Sequence, residues 1–136
     1  MRATRVVVVA AALTFGGVAC GSSKAAEPVA TVVPESLRAG DAEVATGLRA
    51  LQTTATAVVA AAADKTKATE LVEQLEPSWK PVEGAVKAND SATYLAIEDA
   101  FAVLEMAASA GDAVKAQEGA DAIAKAVATY LAAHPG

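Results

Sequence analysis

Five acidic residues stand at spacings that a helix turns into chemistry. Glu76 and Glu83 are seven residues apart, as are Glu98 and Glu105, and Asp99 adjoins Glu98. Seven residues make about two helical turns, so each pair lies on one face. With Leu75, Trp79 and Val82 taken as a and d positions of one helix, and Ile97, Phe101 and Leu104 as those of the next, all four glutamates fall at e. The turn residues Asn89-Asp90-Ser91 lie between them. Glu83 precedes Asn89 by six residues and Glu98 follows it by nine, which places them at similar height. Glu76 and Glu105 form the next rung. Facing carboxylates repel unless water, a lysine or a cation separates them.

Two chemistries follow. One is a weak, all-oxygen cation site, whose hard ligands suit calcium, magnesium or ferric iron better than zinc or copper. Under that reading, glutamine at positions 83 and 98 raises the melting temperature of the metal-free protein. The other is a solvated acidic face, with Lys80 and Lys87 as i,i+4 partners of Glu76 and Glu83.

Other reactive side chains are scarce. His134 is the single histidine and stands near the end of the sequence, where it reads as a solvated residue. It rules out a histidine-based triad or a multi-histidine metal site. No phosphate-cradling glycine loop, paired-cysteine motif or nucleophile elbow occurs. Ser36 and Ser91 read as helix caps. Trp79 reads as a core anchor, and Tyr94 and Tyr130 as helix-end residues with hydroxyls in water. No enzymatic activity is expected.

Cys20 is the only cysteine, so an intramolecular disulfide is excluded. It follows Arg2 and Arg5, an unbroken apolar run from Val6 to Leu13, and Gly17-Val18-Ala19. A basic start, an apolar stretch too short to span a bilayer stably and small residues before a cut are the parts of a secretory signal. The arrangement resembles a bacterial lipobox, although Gly17 stands where Leu, Val or Ile is commoner. That resemblance implies a signal over 1–19, a diacylated Cys20 and an extracytoplasmic protein anchored in the cell membrane. Two acyl chains suffice for stable anchoring. An ordinary signal cut near Ala19 is the alternative. Residues 20–35 carry Gly21-Ser22-Ser23, Pro28 and Pro34, the composition of a flexible tether.

The elements that position the acids occupy 36–136. Leu37, Asp41, Val44, Leu48, Leu51, Ala55, Val58 and Ala62 recur in steps of four and three, with Ser36 as the cap. A second seam runs Ala68, Val72, Leu75, Trp79, Val82, Val86 through Pro77 and Pro81, which predicts one kinked helix or two short ones. Tyr94, Ile97, Phe101, Leu104 and Ala108 form a third. Ala116, Ala120, Ile123, Val127 and Tyr130 form a fourth, behind the cap Asp112. Short turns near Asp64, Asn89 and Gly111 predict an all-α, antiparallel up-down-up-down four-helix bundle. Gly40, Gly47 and Gly119 adjoin seam positions, where a missing side chain lets backbones approach. Leu71, Ala85, Ala100 and Ala107 suit close packing on the opposite flank.

Composition agrees. The chain has 136 residues, 54% of hydrophobic type but only 4% aromatic, and 37 are alanine, the strongest helix former. This argues against an all-β domain, a doubly wound α/β fold or a polytopic membrane protein. The net charge of −5, without a basic stripe, argues against nucleic-acid binding. Removal of Arg2 and Arg5 with the signal leaves nine basic against sixteen acidic residues, a formal charge of −7. Such a domain attracts cations or basic partners rather than an anionic bilayer.

The block Trp79-Lys80-Pro81-Val82-Glu83-Gly84-Ala85-Val86-Lys87, followed by Tyr94-Leu95-Ala96-Ile97-Glu98-Asp99, is similar to a pattern in helical extracytoplasmic domains of bacterial iron-uptake proteins. These include imelysin-like lipoproteins and domains that accompany iron permeases. The resemblance implies Glu83, Glu98 and Asp99 as acids on an exposed helix pair, near an iron permease as partner. The chain lacks that family's Gly-x-His-x-x-Glu motif and the permeases' Arg-Glu-x-x-Glu motif. Two functions are thus expected. The first is a lipid-anchored binding or structural module of the cell envelope, contacting an envelope protein and needing no cofactor. The alternative is an iron-uptake accessory that presents a carboxylate cation site.

Overall fold

A computed structural model describes residues 39–135. The signal, Cys20, the tether and Ser36 lie outside them. The described residues form six helices and no strand: α1 (Asp41–Ala61), α2 (Lys65–Glu73), α3 (Leu75–Trp79), α4 (Glu83–Asn89), α5 (Ser91–Ala110) and α6 (Ala113–Ala133). Among these, none is long and apolar enough to cross a membrane.

α1 starts later than the periodicity predicts. Gly40 is extended (φ −70°, ψ 161°), and its amide donates to the Glu43 carboxylate at 3.3 Å. Asp41 and Glu43 place negative charge at the positive end of the helix dipole. Asp41, expected on the seam, is exposed, and burial begins at Val44. From there Leu48, Leu51, Ala55, Val58 and Ala62 are all buried.

The second seam is carried by three helices rather than one or two. A proline ring crowds the carbonyl four residues earlier. For Pro77 that carbonyl belongs to Glu73, the last residue of α2, and the chain turns at Gln74. Pro81 sits in the Lys80–Val82 turn, and its missing amide leaves no donor to continue α3. The Val82 amide closes that turn onto the Trp79 carbonyl at 2.9 Å, and the Ala85 and Val86 amides restart the ladder on Val82. Ala68, Val72, Leu75, Trp79, Val82 and Val86 nonetheless all reach the core.

α5 is capped by Asp90, not Ser91. Asp90 Oδ1 accepts from the amides of Ala92 and Thr93, and Oδ2 accepts from the buried Thr93 hydroxyl at 2.7 Å. A serine oxygen cannot take three donors, so Ser91 becomes the first helical residue instead. α5 ends at Gly111 (φ +72°), where the Asp112 amide donates to Ala107 and the Gly111 amide to Ala108. That pairing is a Schellman stop, and its left-handed residue favours glycine. Asp112 then caps α6, accepting from the Val114 and Lys115 amides as expected.

α1 packs on α2, α3 and α6, while α5 packs on α2, α4 and α6. Two glycines set the spacing. A β-carbon on Gly47 would stand 2.9 Å from Val82 Cγ1, and one on Gly119 would stand 2.8 Å from Leu104 Cγ. Gly40, expected to act likewise, has nothing within 4 Å. Ala85, Ala100 and Ala107 are buried and Leu71 is partly buried, which keeps the opposite flank tight.

Candidate functional site

The structure sorts the flanking acids into two groups. Glu83 and Glu98 are engaged by neighbours. Lys80 Nζ meets Glu83 Oε1 at 3.0 Å, an i,i+3 pair rather than the expected i,i+4 one. The hydrogen bond that Lys80 donates to Glu83, and next the charge of Glu83, raise the Lys80 pKa above its ordinary value. Glu98 Oε1 accepts from the indole Nε1 of Trp79 at 2.6 Å. Lys87 does not pair with Glu83. Its ammonium lies 4.7 Å from the centre of the Tyr94 ring, where the electron-rich face attracts it.

Trp79 is the core anchor expected, 1% exposed. It stacks on Tyr94 (5.9 Å, 23°) and meets Phe101 edge-on (6.1 Å, 75°). Burying an indole requires a partner for its N–H, and Glu98 supplies it. The role of Glu98 as an acceptor was missed because its partner lies nineteen residues away in sequence.

Tyr130 and His134 also depart from expectation. Tyr130 is buried, and its hydroxyl accepts from Asn89 Nδ2 at 3.0 Å instead of reaching water. The His134 ring packs against Tyr130 at 4.6 Å and is only half-exposed. Near it, Asp90 is held below the usual carboxylate range. The Thr93 amide contributes most, then the Thr93 hydroxyl, with the charge of His134 a minor addition.

Glu76 and Glu105, the expected second rung, do share a site. Both line a pocket of about 360 Å³ between the α2–α3 break and the second half of α5. Val72, Leu75, Phe101 and Ala108 form its apolar floor, and Val72 and Phe101 are each 9% exposed. Glu73, Thr69 and Ser109 complete the rim, which holds no lysine, arginine or histidine. None of Glu73, Glu76 and Glu105 forms an ion pair among the described residues. Glu105 and Ser109 continue into a shallow depression with Met106 and Ala110, and Met106 is 62% exposed. Glu73 escaped the heptad argument because the turn at Gln74 re-aims the chain beside it.

Asp99 is exposed on α5 and has no hydrogen-bond or ion-pair partner among the described residues. Among the same residues, no three His, Cys, Asp or Glu side chains gather closely enough to hold a metal ion. Within the iron-uptake-like block, Trp79, Val82, Val86 and Ile97 are core residues. Glu83 and Glu98 are bound to Lys80 and Trp79. The block thus spells a packed helical hairpin. No family model, curated protein or solved structure matches the chain.

Proposed function

We propose that this chain is a lipid-anchored, extracytoplasmic four-helix bundle that serves the cell envelope by binding rather than catalysis. α1, the α2–α4 leg, α5 and α6 are its four members in up-down-up-down order. The closed cycle of packing, α1 on α2 and α3, α2 and α4 on α5, α5 on α6 and α6 on α1, supports that order. So do the short connections at Asp64, Asp90 and Gly111, which favour antiparallel neighbours. Arg2, Arg5, the Val6–Leu13 run and Cys20 support the anchor, and residues 20–35 hold the bundle off the bilayer.

The observation that carries the binding reading is the pocket beside Phe101. It joins an apolar floor to three glutamates that form no ion pair among the described residues. Pockets of this kind, with a few convergent polar groups, are where small domains take ligands.

The anchor is tested by labelling cells with radioactive palmitate. The parent incorporates label and stays with membranes, and Cys20→Ser does neither. Labelled Cys20→Ser protein would overturn the anchor. A melting temperature that ferric ions raise in the parent and not in Glu76→Gln/Glu105→Gln would favour the iron-uptake alternative instead.

A further inference from the structure

The apolar pocket between α2, α3 and α5 has a lining that specifies its occupant. We propose that it binds a small organic ammonium ion, with the apolar body on Val72, Leu75 and Phe101 and the charged nitrogen at the rim that carries Glu73, Glu76 and Glu105. The inference rests on reading this domain as a binding module and names the ligand class.

Size comes first. A volume of about 360 Å³ suits a small organic molecule, because ligand pockets span roughly 300–1,000 Å³. Charge selects among such molecules. Every titratable group on the rim is a carboxylate. Lys80, whose charge interacts weakly with Glu76, is paired with Glu83 at 3.0 Å. An anion would meet three like charges there, and a neutral apolar molecule would leave them unpaired. A bare divalent ion would leave the floor unused, and no three acids close around one point. An ammonium carrying an aryl or alkyl group satisfies both surfaces. Phe101 adds aromatic carbon to the apolar floor of the same space. Thr69 and Ser109 supply hydroxyl oxygens that accept from an N–H, although the Ser109 proton is already given to the Glu105 carbonyl.

The experiment uses the full chain carrying Cys20→Ser, so that acylation and pocket binding are read separately. Amide chemical shifts are followed by NMR while 2-phenylethylamine is added at neutral pH. Shifts should concentrate on Thr69–Glu76 and Phe101–Ser109. Glu76→Gln/Glu105→Gln should weaken the interaction at least about tenfold, which corresponds to about 1.4 kcal/mol. Thr69→Lys, which places a cation on the exposed rim, should abolish it while leaving the remaining spectrum unchanged. Raising the salt concentration should weaken binding to the parent. Equal binding of 2-phenylethanol would overturn the proposal by showing that charge is not read. The same shifts with calcium chloride would overturn it in favour of an inorganic cation. Shifts scattered over the acidic surface, or none, would overturn it outright. None of these outcomes bears on palmitate incorporation, so the anchor and the pocket stand or fall apart.

Discussion

The two ends of α5 treat carboxylates in opposite ways. At its start, Asp90 takes three hydrogen bonds, and Glu98 takes the indole N–H of Trp79. Toward its end, Glu105 joins Glu73 and Glu76 on a rim with no basic residue. Apart from the exposed Asp99, the first end spends its acids on the fold, and no buried donor among the described residues is left unmatched. The second leaves its acids facing outward over apolar floor. The same residue types therefore divide between structure and the proposed recognition according to whether a donor has been built beside them.

Trp79 stands between the two regions, stacked on Tyr94 on one side and edge-on to Phe101 on the other. Trp79→Ala should have the largest effect of any single change proposed. It removes a fully buried side chain and strips Glu98 of its donor. The expected loss is roughly 3–5 kcal/mol, read from urea midpoints at constant m-value. A loss below about 1 kcal/mol would mean that the two regions are not mechanically joined through this ring.

The next effect concerns glycine spacing, and it has a built-in opposite. Gly119→Ala drives a methyl group toward Leu104 Cγ and the Ala100 carbonyl, at 2.8 and 3.3 Å. Overpacking of this kind costs about 1–3 kcal/mol. Gly84→Ala meets nothing within 4 Å and lies inside α4. It should stabilise by roughly 0.5–1 kcal/mol through helix propensity. Thermal melts of the two variants should move in opposite directions. Shifts of the same sign would refute the assignment of Gly119 as a spacer.

Much of this was legible in the sequence, and the failures have physical causes. The seam Ala68, Val72, Leu75, Trp79, Val82, Val86 holds its register across two prolines. Register depends on which side chains are apolar, and the prolines interrupt only the backbone ladder. Where the ladder breaks is a matter of carbonyl crowding, which periodicity does not report, so three helices stand where one kinked helix or two short ones are expected. Asp90 and Ser91 are adjacent cap formers. The choice between them was decided by Thr93, whose buried hydroxyl needs an acceptor that a carboxylate provides. The Glu76–Glu105 rung was visible from heptad spacing, but the apolar floor beneath it was not. That floor exists because the chain turns at Gln74 and exposes edges of Val72 and Phe101.

The closed end of α5 should show a distinct pH signature. Hydrogen bonds hold the Asp90 carboxyl below its ordinary value of 3.8. A group depressed in the folded state stabilises at pH above its unfolded value, and the contribution is lost as pH falls through the folded value. Asp90→Ala should therefore lower the melting temperature at neutral pH, and by less than Gly119→Ala does. The gap between parent and variant should narrow below pH 3.8. A gap independent of pH would show that the carboxylate charge contributes nothing at this end.

The smallest effect belongs to the open end, and its sign separates the two regions most cleanly. Glu73, Glu76 and Glu105 are exposed, carry no ion pair among the described residues and share one rim. Replacing all three by glutamine removes mutual repulsion and breaks no bond on which the fold depends. Stability should hold or rise, with each change within about 0.5 kcal/mol of neutral. The gain should be greatest in low salt and fade as salt is added, because exposed charges are screened over roughly 10 Å at 0.1 M. Glu83→Gln/Glu98→Gln is the comparison. It weakens the Lys80 pair and the charge-assisted bond from Trp79, so it should lower the melting temperature, opposite to what facing, unpartnered carboxylates at 83 and 98 require. Melts of the triple and double variants at two salt concentrations decide the matter. If the triple variant loses stability as the double one does, the rim acids are structural, and the contrast between the two ends of α5 disappears.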